Sequence, residues 1–178
     1  MRFVSLPLAG AFLIELEPIR DERGFFARAF AVDEFAQHGL VHDFVQAGIA
    51  FNPRARTLRG MHYQVAPHGE VKLIRCTAGA VYDVIVDIRS ESPTYQQWAS
   101  VELSAENRRT LYVPEGFAHG YVTLTDDAEL LYQMSVPHHA SSARGVRWND
   151  GAFDISWPVE PAVISERDAN YADFDGAP

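Results

Sequence analysis

Apolar residues recur along this chain with the period of strands, in short runs cut by turn signals, and that pattern limits what the chain can fold into more than any other feature. Residues 72–76 and 80–88 alternate apolar and polar side chains on either side of Ala78-Gly79, the pattern of two strands in a hairpin. Residues 101–103, 109–113, 120–124 and 129–136 continue it at close spacing, with turn-forming stretches at 104–107, 114–116 and 125–127. The apolar stretch 6–16 reads as one further strand. Helical signals are confined to residues 32–38, closed by Gly39, and 166–171, behind a possible Ser165 cap. Neither segment is long enough to carry a core, so an all-β sandwich or jelly roll is expected.

The chain has 178 residues, 47% of them hydrophobic and 12% aromatic. That suffices for one packed domain spanning 1–178 and excludes the weakly hydrophobic, highly charged class that stays disordered. With 24 acidic against 15 basic side chains the net charge is -9, which repels a polyphosphate backbone, so no nucleic-acid partner is expected. Pro7 and Gly10 interrupt the apolar stretch near the start, and Glu15 and Glu17 end it before membrane-span or leader length. A cytosolic protein with no membrane contact is expected. Cys76 is the only cysteine, which rules out an intramolecular disulfide and fits a buried, inert thiol.

Charge is uneven along the chain. No acidic residue lies between Asp43 and Glu70, while Arg54, Arg56, Arg59, His62 and His68 do. An arginine-bearing surface loop would give this pattern. So would a site for a small anion such as a diphosphate, whose oxygens match guanidinium forks. Arg59 suits the second reading best, because Gly60 beside it allows close backbone approach.

Specific runs of residues carry more than these patterns do. Leu58-Arg59-Gly60-Met61-His62-Tyr63-Gln64 is followed in order by Lys72-Leu73-Ile74-Arg75, by Asp83 to Arg89, and by Ser92-Pro93-Thr94. Then come Leu103 to Asn107 and Pro114-Glu115-Gly116-Phe117-Ala118-His119-Gly120. Arg20 to Phe26, Arg144 to Trp148 and Ser165-Glu166-Arg167-Asp168 complete the set. Together these runs resemble the dTDP-4-dehydrorhamnose 3,5-epimerase family over nearly the whole chain. The resemblance implies a cupin-type jelly-roll β-barrel and a homodimer whose N-terminal strands cross to the partner. It also implies a reaction without metal or organic cofactor on a nucleoside-diphosphate 4-keto-6-deoxy sugar.

A ketone at C4 acidifies the protons on both neighbouring carbons, so such an epimerase needs a base, an opposed acid and a group to stabilise the enolate. The resemblance implies that His62 is the base, an imidazole with an ordinary pKa of about 6.5. Asp168 is implied to hold its other ring nitrogen, Lys72 to stabilise the enolate, and Tyr132 to be the acid. Asp83 and His119 would complete the sugar pocket, and Arg23, Phe26, Arg28, Gln46, Arg59 and His138 would meet the nucleotide or sugar. Without the resemblance, His62 reads as a hydrogen-bonded structural residue, Tyr132 as core, Lys72 as solvated, and Asp83 with Asp87 as a solvent-facing row.

The rival class is a metal-dependent cupin enzyme, because Pro114 to His119 also fits the second cupin motif and His62 begins the first. Such a site needs two histidines one residue apart on a strand face, and here the second position is Gln64. A non-catalytic sugar-binding barrel is the third reading. The chain departs from the family at Gly48 and Ala50, where Asn and Ser are usual, and at Arg28 and His138, where Glu and Tyr are usual. These departures raise two alternatives: inversion at C3 or C5 alone, and a base with an acceptor at N3, as cytosine has, in place of thymine.

Overall fold

The structure, a computed structural model, describes residues 1–176. In chain order it contains β1 (Arg2–Ser5), β2 (Phe12–Glu15), β3 (Ile19–Asp21), β4 (Gly24–Phe26) and helix α1 (Val32–Gln37). Next come β5 (Gln46–Asn52), β6 (Thr57–Gln64), β7 (Lys72–Ala78), β8 (Ala80–Asp87) and β9 (Trp98–Ser104). The chain continues through β10 (Thr110–Val113), β11 (Phe117–Thr123), β12 (Ala128–Met134), β13 (Ala143–Gly145), β14 (Val163–Ile164) and helix α2 (Glu166–Ala169). One sheet runs β1-β2-β10-β7-β12-β5 and the other β13-β6-β11-β8-β9, with β14 also paired to β6. They form the all-β, jelly-roll-type sandwich that the strand period predicts. Among the described residues no helix is long and apolar enough to cross a membrane.

Two sequence expectations change. Residues 6–16 are not one strand: the chain turns back between β1 and β2, with the Leu6 N–H donating to Ala11 O at 3.0 Å and Gly10 at φ +86°. Residues 72–76 and 80–88 are not a hairpin. Strand β7 pairs with β10 and β12, whereas β8 pairs with β11 and β9 in the opposite sheet. The turn signal at Ala78-Gly79 marks a crossing from one layer to the other, which sequence cannot distinguish from a tight return.

Between the sheets, Leu13, Ile74, Cys76, Val81, Ile85, Leu103, Leu111 and Leu130 form the central core. Two satellite layers cover the outer faces. Phe35 of α1 and Leu40 pack on Ile14, Leu73 and Tyr112, while Val146 and Phe153 cover Val84, Val86 and Ile88. Burial pushes the Cys76 thiol up to about 11, so at neutral pH it stays protonated and unreactive.

The inward rows change character along their length. On β7 and β12 the facing pairs are Cys76 with Leu130, Ile74 with Tyr132, and Lys72 with Met134. Hydrocarbon at one end gives way to ionisable groups at the other. The same holds on β8, where Asp83 and Asp87 are fully buried between Val81 and Ile88 and do not form the solvent-facing row that alternation suggests. Asp87 accepts from Arg89, Ser92 and Thr94. Burial alone would push its carboxyl up, but these donors outweigh it and hold the carboxyl below its ordinary value.

The alternation on β9 gives a direct check of the core. Leu103 is fully buried in the central cluster and Glu102 beside it is exposed. Leu103→Ala is expected to lower unfolding free energy by about 2–5 kcal/mol, and Glu102→Ala to change it by less than about 0.5 kcal/mol. Urea denaturation followed by circular dichroism measures both.

Candidate active site

The site is organised by an irregularity in β6. His62 lies opposite His119 and Arg59 opposite Tyr121, so a three-residue step on β6 faces a two-residue step on β11. The extra residue is a β-bulge, which reverses the inside-outside alternation locally. As a result Arg59 and His62 both border one cavity of about 320 Å³. Gly60 makes the bulge possible. Its φ is +125°, and a Cβ there would lie 2.5 Å from Gly120 Cα and 2.8 Å from His119 O.

Of the residues expected from the sequence, Arg59, His62, Lys72, His119, Tyr132 and His138 line this cavity. His62 Nε2 is 2.8 Å from Asp168 Oδ1, leaving Nδ1 to take a proton. Asp168 is placed by the short helix α2. The Ser165 hydroxyl caps that helix by accepting the Asp168 N–H at 3.0 Å, and Asp168 Oδ2 accepts the Gly60 N–H at 3.1 Å. Burial would push the Asp168 carboxyl up. The His62 ring, the Gly60 N–H and the charge of Arg167 outweigh that effect and hold it below its ordinary value. The Tyr171 ring packs edge-on against His62 at 5.9 Å, a position open only because residue 145 is glycine, whose Cβ would lie 2.3 Å from that ring.

A second imidazole–carboxylate pair lies deeper, with His119 Nε2 2.9 Å from Asp83 Oδ1. Asp83 Oδ2 has no hydrogen-bond partner among the described residues. Burial raises the Asp83 carboxyl pKa against the pull of His119 and Lys72. Lys72 is nearly buried, its Nζ 3.2 Å from Glu70 Oε1. The Tyr132 ring meets that of His119 edge-on at 6.0 Å. Burial, then Tyr121 and Asp83, raise the Tyr132 phenol well above its ordinary value, opposed by the charge of Arg59. It therefore keeps its proton at neutral pH.

Gln46 lies at the rim, its Oε1 accepting the His138 N–H at 3.0 Å. Gly48 and Ala50 border the cavity, and a Cβ on Gly48 would meet nothing within 4 Å. Arg23, Phe26 and Arg28 do not line the cavity of their own chain. Arg23 pairs with Asp21 on the exposed β3–β4 hairpin, Phe26 is exposed, and Arg28 pairs with Glu34 at 2.9 Å. Among the described residues no group of three or more His, Cys, Asp and Glu side chains is placed to hold a metal ion. Gln64, where a cupin metal site needs histidine, is committed to backbone: its amide donates to His68 O and its oxygen accepts the His139 N–H.

Sequence reasoning gave no role to five ionisable side chains at the cavity: Tyr63, Glu70, Tyr121, Arg144 and Arg167. Arg167 adjoins Asp168 in a run already singled out, so its position was readable. Tyr121 sits in an apolar strand run and Glu70 in the loop before β7, with nothing in the sequence to separate them from packing or surface residues.

The family model described as dTDP-4-dehydrorhamnose 3,5-epimerase matches residues 5–176. A dTDP-4-dehydrorhamnose 3,5-epimerase of Shigella flexneri is 39% identical over 175 residues, covering 98% of this chain and 96% of that protein. The crystal structure of the Bacillus anthracis enzyme of the same description, with TDP and PPi bound, has a TM-score of 0.93 at 38% identity, covering 97% of this chain and 99% of that one. A Legionella pneumophila dTDP-6-deoxy-D-glucose-3,5-epimerase in complex with dTDP-4-keto-L-rhamnose has a TM-score of 0.90 at 34% identity, covering 97% and 92%.

The lowered Asp168 carboxyl fixes the sign of an acid response. A group whose folded pKa lies below its unfolded value of about 3.9 contributes stability above that pH and loses it as pH falls through the folded value. Acid titrations of wild type and Asp168→Asn, followed by tryptophan fluorescence, should show a shallower loss of stability below about pH 4 in the variant. Identical slopes would remove Asp168 from the response.

Proposed function

Because the chain belongs to the dTDP-4-dehydrorhamnose 3,5-epimerase family, we propose that it inverts C3 and C5 of a nucleoside-diphosphate 4-keto-6-deoxyhexose, by removing a proton on one face and returning one on the other. The observation that carries this reading is the convergence on one cavity of His62, held from behind by Asp168, with Lys72 and Tyr132. His62 Nδ1 takes the proton beside the C4 ketone, and Asp168 stabilises the imidazolium that forms. The carbon's electron pair moves onto O4, where the Lys72 ammonium stabilises the enolate, an effect worth several kcal/mol in comparable sites, or about 3. Tyr132 then gives its proton to the opposite face of the carbon and the ketone re-forms. Once His62 has released its proton to solvent and Tyr132 has regained one, the same steps invert the second carbon.

Arg59, Arg144 and Arg167 border the cavity and suit the diphosphate, in a protein whose overall charge of -9 would otherwise repel it. The TDP in the Bacillus structure and the dTDP sugar in the Legionella structure support a thymidine diphosphate carrier. Arg23, Phe26 and Arg28, expected at the nucleotide or sugar, lie on or next to the β3–β4 hairpin, away from the cavity of their own chain. In this reading a second copy supplies them. Ile19 and Phe26 are exposed at the hairpin, and Ile49 and Phe51 are exposed on the edge strand β5 that borders the cavity. An open edge with apolar side chains favours pairing with another chain.

His62→Asn is expected to slow deuterium incorporation from heavy water at both C3 and C5 by about 10²–10⁴-fold. Tyr132→Phe should slow net inversion more than incorporation, because proton removal survives loss of the opposing donor. Nuclear magnetic resonance of the recovered sugar reads both rates, and equal losses in Tyr132→Phe would reassign the acid. Sharing of the site between copies has its own check. Refolding an equal mixture of His62→Asn and Arg23→Ala chains should restore activity at roughly a quarter of the sites, because half the dimers are mixed and each holds one intact site. No recovery would place Arg23 outside the site.

A further inference from the structure

Resting on the assignment of Tyr132 as the acid, we propose that Tyr121 is the positioning residue for reprotonation: its hydroxyl turns from Asn52 onto the Tyr132 oxygen as that oxygen gives up its proton. Tyr121 and Tyr132 line the same cavity, from neighbouring positions around the His119 ring, whose centroid is 6.4 Å from one phenol and 6.0 Å from the other. Tyr121 raises the Tyr132 phenol and Tyr132 lowers that of Tyr121, the pattern of a resting Tyr132 hydroxyl directed at the Tyr121 oxygen.

The transfer from Tyr132 to carbon breaks its O–H bond and forms a C–H bond with the electron pair of the enolate. The negative charge that sat on the sugar O4 ends on the phenol oxygen. Lys72 answers the first location of that charge, not the second. An unpaired phenolate in so buried a position would be very costly, so a donor must reach it. His119 has its Nε2 engaged by Asp83. Arg59 acts on both phenols through its charge, but its Nε is held by Asn52 and its Nη2 by Phe51 O.

Tyr121 has a proton it can redirect. Its hydroxyl donates to Asn52 Oδ1 at 3.3 Å, long for an O–H···O bond, where about 2.7–2.8 Å is usual. The same oxygen accepts from Arg59 Nε at 2.8 Å, a charge-assisted bond of ordinary length. Asn52 is fully buried and fixed at its amide end too, by Ala128 O at 3.1 Å and Ala50 O at 3.4 Å. When the Tyr121 proton swings away, Asn52 Oδ1 keeps its stronger donor and is not left unsatisfied. Rotation about the C–O bond of Tyr121 is therefore inexpensive, while the gain is a hydrogen bond to a buried anion. Phenylalanine at 121 would fill nearly the same volume, so packing alone gives no reason for the hydroxyl.

The test compares wild type, Tyr121→Phe, Tyr132→Phe and the double variant in heavy water, following deuterium incorporation and net inversion separately. Hydrogen bonds to charged groups contribute about 1.5–3 kcal/mol, which converts to a loss of about 10- to 100-fold. Tyr121→Phe should lose that factor in inversion and keep incorporation within about twofold. The double variant should invert no more slowly than Tyr132→Phe alone, because Tyr121 acts through Tyr132. Equal loss of both rates in Tyr121→Phe, or additive loss in the double variant, would show a merely structural tyrosine and overturn the proposal. Should Tyr121→Phe not fold, 3,5-difluorotyrosine at 121, a more acidic donor, should raise inversion and leave incorporation unchanged. An unaltered inversion rate there also overturns it. If wild type incorporates no deuterium, or Tyr132→Phe loses both rates together, the assignment of Tyr132 itself has failed, an outcome separable from failure at Tyr121.

Discussion

Strands β6 and β11 cross with their backbones in contact at Gly60 and Gly120, and the geometry of the whole cavity follows from that contact. A Cβ on Gly60 would lie 2.5 Å from Gly120 Cα, and one on Gly120 would lie 2.6 Å from Met61 Sδ and 2.9 Å from Arg59 O. Any side chain at either position would separate the strands. The bulge that this approach allows puts Arg59 and His62 at the same cavity, facing Tyr121 and His119. It also aims the Gly60 N–H at Asp168 Oδ2. One feature of the backbone thus places His62 and Arg59 and anchors the carboxylate that holds the His62 ring.

The interior this creates is costly to build. His119, Asp83, Lys72 and Asp168 are all nearly or fully buried, and buried ionisable groups are tolerated only when paired and hydrogen-bonded. Asp168 meets that condition with His62, Gly60 and Arg167 around it, and its carboxyl sits low. Asp83 meets it only in part, with Oδ2 unpartnered and its carboxyl pushed up by burial. Perturbations of this kind concentrate at functional sites. The hydrocarbon half of the same sandwich, from Leu103 to Leu130, supplies the stability that this polar half gives up.

Much of this was legible in the sequence, and what was not has physical causes. Strand positions followed from period-two alternation, and the Ser165 cap forecast α2 with Asp168 in it. The pairing of strands did not follow, because Ala78-Gly79 signals a turn whether β7 and β8 lie side by side or in opposite layers. Asp83 and Asp87 were misread for a related reason: alternation tells which side chains share a face, not whether that face meets water or a polar interior. The resemblance named six residues that line the cavity. Arg23, Phe26 and Arg28 lie outside it in a single chain, on or next to the N-terminal strands that the resemblance implies cross to a partner. Tyr121 escaped notice because its significance lies in Asn52, 69 residues away.

The two halves of the site differ in how they are held, and the difference matches their tasks. Proton transfer to carbon needs reacting groups fixed to within about 0.5 Å, and His62, Lys72, His119, Tyr121 and Tyr132 all stand on central strands paired on both sides. Three of the residues expected at the nucleotide or sugar, Arg23, Phe26 and Arg28, sit on or beside a two-stranded ribbon, β3–β4, that joins neither large sheet. A base far from the reacting carbons contributes binding energy, not alignment, and tolerates a looser support. It also tolerates change, and the departure at Arg28 falls on that periphery, whereas Gly48, Ala50 and His138 border the cavity itself. A substitution among the strand-borne groups would instead disturb geometry that the Gly60–Gly120 contact fixes for several of them at once.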